Sequence, residues 1–127
     1  MKRQFKVRVY YEDTDIGGVV YYANYFKFCE RARSELFFQK GMLPIKDRCH
    51  FVVTNLEASF KKSAKFGDIL DIKTEVLEIK RVSIRLKQKI FKGSELIFEM
   101  DVKLAYICDG KPSPIDKKFL ALFESLQ

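Results

Sequence analysis

Apolar and polar residues alternate along residues 3–12, with Phe5, Val7, Val9 and Tyr11 on one side and Gln4, Lys6, Arg8 and Tyr10 on the other. A period of two marks a half-buried strand. Turn residues follow from Asp13 to Gly18, and from about Tyr22 to Lys40 the period lengthens. Tyr25, Cys29, Ala32 and Leu36 recur at helical spacing, flanked by Phe26 and Phe37, while Lys27, Arg31, Ser34 and Glu35 fall mostly opposite. Asn24 is the candidate N-cap, and Gly41 with Pro44 beyond it is the stop signal. Strand periodicity then returns. Residues 51–61 form one run, with a phase slip near Thr54–Asn55 that predicts a bulge. Leu70, Ile72, Thr74 and Val76 alternate with charged neighbours, as do Ile84, Leu86, Gln88 and Ile90, and Leu96, Phe98, Met100, Val102, Leu104 and Tyr106 complete the set. The links Lys80-Arg81 and Lys92-Gly93-Ser94 are short enough for hairpins. Asp116 to Leu126 reads as a short amphipathic helix with Phe119, Leu120 and Phe123 on its apolar side, its approach stiffened by Pro112 and Pro114.

This order predicts an α+β fold in one domain spanning residues 1–127: a five-stranded antiparallel sheet wrapped around one long central helix, with a short C-terminal helix. One helix cannot cover both faces of such a sheet, but a curved sheet can enclose it. The uncovered edges favour self-association, and a homodimer is the simplest closed arrangement, a homotetramer the next.

Composition narrows the function. No apolar run reaches the roughly 18–20 residues of a membrane span, and Met1-Lys2-Arg3-Gln4 leads into the first strand without an apolar signal core, so a cytoplasmic protein is expected. Three cysteines, an odd number and widely spaced, argue against a disulfide framework, and Cys29 on the apolar helix face reads as a buried inert thiol. With one histidine and no ligand cluster, a metal site is not expected. That histidine, His50, begins a strand away from any Ser or Cys motif, which leaves a nucleophile–histidine pair without support. The net charge of +7 fits nucleic acid, a phosphorylated ligand or incidental surface excess. Because the basic residues are spread over strands rather than grouped with aromatics, nucleic acid is not expected as a partner.

The chemistry concentrates where strand gives way to helix, in Tyr10-Tyr11-Glu12-Asp13-Thr14-Asp15-Ile16-Gly17-Gly18-Val19-Val20-Tyr21-Tyr22-Ala23-Asn24-Tyr25. Three carboxylates stand beside a glycine pair at a helix start. A helix N-terminus offers unpaired N–H donors that polarise a carbonyl, and a carboxylate beside it supplies a base or nucleophile. Gly17 and Gly18 give backbone room for a tight turn or for close approach of a ligand. Asp13 suits a turn cap, Glu12 a cap or a site wall, and Tyr25 either the core or the wall of an acyl pocket.

Asp13-Thr14-Asp15 with Gly17-Gly18-Val19-Val20-Tyr21-Tyr22-Ala23-Asn24-Tyr25, continued by Glu30-Arg31-Ala32-Arg33-Ser34-Glu35, closely resembles the hotdog-fold acyl-CoA thioesterases. The nearest group is the YbgC type, related to 4-hydroxybenzoyl-CoA thioesterase, and the resemblance covers essentially the whole chain. It implies hydrolysis of acyl-CoA to free acid and CoA, with no cofactor because the CoA thioester is the substrate. Asp15 stands where the family keeps its catalytic carboxylate, as general base or nucleophile. Tyr22 stands where a backbone N–H points at the thioester oxygen, and Tyr11 is the signature tyrosine four positions before Asp15. Lys80, Arg81 and Ser83 lie where the related enzyme holds CoA phosphates on a basic hairpin. YbgC-type enzymes usually carry His at the position of Tyr22, whereas the benzoyl-type relative has Tyr, a departure that bears on acyl preference more than on the reaction. Gly18, Tyr25 and Glu30 are further candidates for the substrate wall, although the role expected of Glu30 before any other is an exposed ion pair with Arg33 or Arg31. Lys62 would join Lys80 and Arg81 in an anion seat if the two strand ends meet. Three alternatives stay open: a dehydratase or hydratase on the same fold, for which no His lies in residues 1–49; a thioesterase directed at an acyl carrier protein, an acidic candidate partner; and a non-enzymatic acyl-thioester binder.

Overall fold

The computed structural model describes residues 3–127; Met1 and Lys2, counted above with the charged start, lie outside the described residues. Strand β1 (Arg3–Arg8) is followed by a 3-10 turn at Tyr11–Asp13 and by helix α1 (Asn24–Phe38). Then come β2 (Ile45–Lys46), β3 (Cys49–Phe60), β4 (Ile69–Ile79), β5 (Ser83–Lys92), β6 (Glu95–Cys108), β7 (Lys111–Pro112) and helix α2 (Lys117–Glu124). The strands form one antiparallel sheet in the order β1-β4-β5-β6-β3-β2, with β7 beside β6. The five long strands are those expected. The two additional strands have two residues each and only extend the sheet's corner.

The sheet curls around α1, whose Phe28, Cys29, Ala32 and Leu36 are buried against the inward rows of β4, β5 and β6. Burial of a side chain such as Phe28, fully enclosed, contributes on the order of 1.5–3 kcal/mol. Helix α2 closes the far end. Its Phe119 and Phe123 pack edge-on to Phe37 at 5.2 and 5.7 Å, and Phe51 stands against Tyr106 at 4.9 Å. The expected bulge lies between Val53 and Asn55, where β3 slips against β6. None of the helices is long and apolar enough to cross a membrane, among the described residues.

Three local expectations are corrected. The first strand ends at Arg8 rather than residue 12, because the Asp13 carboxylate accepts from Tyr10 N–H at 2.8 Å and folds Tyr11–Asp13 into a turn. Asn24 is the first helical residue rather than a cap, since its side-chain amide donates to the Asp13 carbonyl at 2.9 Å. Cys49 and Cys108, read as unconnected, form a disulfide with their Cα atoms 4.1 Å apart. They are 59 residues apart in sequence, yet the β3–β6 register sets them opposite each other. Sequence spacing alone does not show that.

One polar group runs through the core. Gln88, fully buried in the otherwise apolar inward row of β5, donates to the Cys29 carbonyl at 2.9 Å and to Thr74 Oγ1 at 3.1 Å. Its carbonyl oxygen accepts from Arg33 at 2.9 Å. Replacing Gln88 by Leu leaves these partners unmatched in a low-dielectric interior, and urea unfolding should report a loss of about 2–4 kcal/mol. A second expectation follows from Cys29, whose thiol burial pushes up to about 12 from its ordinary 9.0. Between these values the unfolded chain loses the proton and the folded chain keeps it. Stability should therefore fall as pH rises above about 9, by up to about 1.4 kcal/mol per unit, and Cys29→Ala should flatten that slope in denaturant titrations.

Candidate active site

The segment between the 3-10 turn and α1 is built as a small closed loop. Thr14 and Val20 form a bridge, Asp15 N–H donates to the Val19 carbonyl at 2.9 Å, and Gly18 N–H donates to the Asp15 carbonyl at 2.9 Å. Gly18 sits at φ +79°, a conformation that L side chains rarely adopt. Gly17 N–H donates to Asp15 Oδ1 at 2.8 Å, and a Cβ at Gly17 would stand only 3.2 Å from that oxygen. Gly17 therefore makes room for the Asp15 carboxylate itself, while Gly18 supplies the left-handed turn. One carboxylate oxygen is held by the Gly17 amide, which leaves the second free to act.

The loop is tied to the helix start through a single oxygen. The Asp13 carbonyl accepts from Tyr21 N–H at 3.0 Å as well as from the Asn24 side chain at 2.9 Å. Val20 N–H donates to the Ala64 carbonyl at 2.9 Å, and Val19 bridges Lys65, which docks the loop on the chain leaving β3. The amides of Asn24, Tyr25 and Phe26 turn back onto the Tyr21, Tyr22 and Ala23 carbonyls, whereas those of Tyr22 and Ala23, in the turn leading into the helix, donate to no protein acceptor among the described residues. A carboxylate with a fixed orientation and two unpaired amides thus belong to one short, well-anchored segment.

The surroundings are aromatic and open. Asp15 is exposed, and Ile16 beside it is exposed completely. Tyr22 is 57 % exposed, its ring 4.9 Å from Tyr21 and 6.0 Å from Phe60. Tyr11 is exposed and meets Phe66 edge-on at 6.0 Å. Tyr25 belongs to the core rather than to an open wall. It is buried, its ring stacks on Phe98 at 5.2 Å, its hydroxyl accepts from Ala64 N–H at 3.0 Å, and burial raises its phenol above the ordinary value.

Glu30 lies farther along α1, about 9 Å from the helix start. It forms no ion pair with Arg31 or Arg33 among the described residues. Instead it stands with Arg33, Ser34 and His50 at a cavity of about 360 Å³ between α1 and β3. Sequence reasoning did not foresee this cavity. The nearest signal was Gln88, a polar residue in an inward strand row, which touches the cavity only through its hydrogen bond to Arg33.

The anion seat does not assemble from both strand ends in one chain. Ser83 is level with Ala105 and Val52, whereas the end of β3 at Phe60 is level with Phe98 and Ile90, so Lys80-Arg81 and Lys62 lie about 25 Å apart at opposite ends of the sheet. Lys62 is engaged by Glu95 at 2.7 Å, a hydrogen bond that raises the ammonium above its ordinary value. Lys80 pairs with Glu78 at 3.2 Å, Arg81 is exposed, and Ser83 is buried. Beside Ser83 is a small depression of about 80 Å³ lined by Lys80, Arg85 and Lys103 together with Glu78.

A helix wrapped in a curled antiparallel sheet is the hotdog fold, and the family it matches gives its class. The sequence pattern of the thioesterase superfamily matches residues 17–98, and the chain belongs to that family. It is similar to the acyl-CoA thioesterase YbgC of Helicobacter pylori, with 40% identity over 119 residues that cover 87% of this chain and 90% of that protein. The YbgC acyl-CoA thioesterase of Haemophilus influenzae is 40% identical over 129 residues, covering 97% of this chain and 95% of its own. The crystal structure of a probable thioesterase from Bartonella henselae superposes with a TM-score of 0.87 at 31% identity, covering 91% of this chain and 100% of that one.

Proposed function

We propose that the chain hydrolyses acyl-CoA thioesters to the free acid and CoA, with Asp15 as the acting carboxylate and the Tyr22 amide as donor to the thioester oxygen. The observation that carries this reading is the Asp15 loop, tied through the Asp13 carbonyl to a helix approach whose Tyr22 and Ala23 amides have no protein acceptor among the described residues. A thioester is an activated carbonyl. Donors fixed in advance at the developing oxyanion contribute about 100–1000-fold each. With one oxygen held on Gly17, Asp15 presents the other to a water proton or to the thioester carbon itself.

The reading includes a second copy. On its outer side β3 has only β2 as neighbour, at Cys49 and His50, so the edge from Phe51 to Phe60 is unpaired among the described residues. Along that stretch Val53, Leu56 and Phe60 are 46%, 46% and 49% exposed. A long apolar edge of this kind is a pairing surface. Two copies laid antiparallel about a two-fold axis near Leu56 set Val52 of one opposite Phe60 of the other. That brings the Lys80-Arg81 turn and the α1–β3 cavity of one copy to the end where the other carries Asp15 and Tyr22. A CoA phosphate seat built from Lys80, Arg81 and the Ser83 depression then serves the second copy's thioester. An acyl carrier protein offers the same thioester and competes as donor.

Asp15→Asn should lower kcat by at least about 100-fold in a thiol-release assay with little change in KM. Retention of most activity rejects the assignment. Leu56→Arg should give a monomer by sedimentation and abolish turnover while the fold persists by circular dichroism; an active monomer would rule out the shared site. Raising salt should increase KM for an acyl-CoA more than for the same acyl thioester of a thiol lacking the nucleotide. Equal shifts for the two substrates would speak against the phosphate seat.

A further inference from the structure

The cavity between α1 and β3 holds an unusual charge. Its walls are mostly apolar, formed by Phe37, Phe51, Leu86, Leu104 and Phe123, with Glu30 and His50 also lining it, and its volume of about 360 Å³ is in the range of small-molecule sites. Arg33 projects into it from α1. The guanidinium makes one hydrogen bond, to the buried Gln88, and no carboxylate lies within ion-pair distance among the described residues. Burial lowers Arg33 below its ordinary value, while the field of Glu30, one turn earlier on the same helix, raises it. A partly buried cation whose nearest carboxylate, Glu30, acts only at a distance is costly to hold. Gln88 in turn is fixed by Thr74 and the Cys29 carbonyl, so the guanidinium is oriented while most of its N–H donors are uncommitted.

We propose that Arg33 selects acyl groups ending in a carboxylate: the apolar walls take the acyl stem, and the planar guanidinium fork pairs with the far end. This rests on the hydrolase reading above, in which the cavity of one copy faces the thioester bound at the other. The substrate class is the CoA monothioester of a dicarboxylic acid. The free carboxylate supplies the missing counter-charge, and the fork geometry of arginine suits bidentate recognition of it. A plain acyl chain of equal length would fill the same walls and leave the cation unmatched.

The test compares hexanoyl-CoA with adipoyl-CoA, which share a chain length and differ in the terminal carboxylate, for the wild type, Arg33→Met and Arg33→Lys. The wild type should turn over adipoyl-CoA with a kcat/KM at least equal to that for hexanoyl-CoA. Arg33→Met should lower the adipoyl-to-hexanoyl ratio by about 10–100-fold, and Arg33→Lys should recover part of it. A wild-type preference of about 10-fold or more for hexanoyl-CoA overturns the proposal, as does a ratio unchanged in Arg33→Met. Should Arg33→Met not fold, the wild-type ratio and the Arg33→Lys shift decide. Wild type inactive on both substrates overturns the hydrolase reading as well. Wild-type turnover lost in Asp15→Asn, together with an unchanged ratio in Arg33→Met, overturns only the role of Arg33.

Discussion

A single fifteen-residue helix, α1, has to cover the inner face of five long strands, and that constraint shapes the rest of the molecule. A flat sheet of that width would leave much of its apolar face in water. Curling around the helix buries the inward rows of β4, β5 and β6 and accounts for the register slips in β3 and β4. It also fixes where the helix start emerges, at the end of the sheet where β3 finishes with Phe60. The Tyr22 and Ala23 amides in the turn just before that start find no protein acceptor among the described residues, and no side chain caps the helix. The position of the helix start is therefore set by the packing problem, and the acidic loop is held there by the Asp13 carbonyl and by the Val20–Ala64 hydrogen bond to the chain leaving β3.

Much of this was legible in the sequence, for identifiable reasons. The period change at Tyr22 and the strict alternation of β4, β5 and β6 arise because each strand has one face on the core and one in water. The Thr54–Asn55 slip could be read because an added residue inverts the alternation. The Asp15 loop was legible through its glycines. What stayed hidden depends on contacts distant in sequence. The Cys49–Cys108 pairing and the separation of Lys62 from Lys80 both follow from strand register, which periodicity does not fix. Tyr25 carries a helical core position and a polar tip at once. Only the Ala64 amide, 39 residues away, shows which one governs.

The buried polar group deserves weighing against an apolar alternative. Gln88 could be replaced in the row of Ile84, Leu86 and Ile90 by another branched aliphatic residue, with a gain in apolar burial. What the amide does instead is lock three elements at once: α1 through Arg33 and the Cys29 carbonyl, β4 through Thr74, and its own β5. Such a link sets the rotation of the helix against the sheet. That rotation decides whether Arg33 faces the cavity and whether the helix start faces the Asp15 loop.

The exposure of Asp15 bears on how complete a single chain can be. In water, a carboxylate and two amides gain little over the solvent they replace, because high dielectric weakens every term they offer a transition state. The loop is rigid, yet Ile16, Tyr22 and Phe60 stand open around it, a combination that isolated globular surfaces avoid. Covering those side chains would lower the dielectric at the one place where fixed donors would then count, and the unpaired β3 edge ends at the same place. The apolar rim and the edge are thus two parts of one requirement: on the hydrolase reading proposed above, fixed donors at Asp15 count only under a cover, and the unpaired β3 edge that ends there is the surface on which a second copy would supply it.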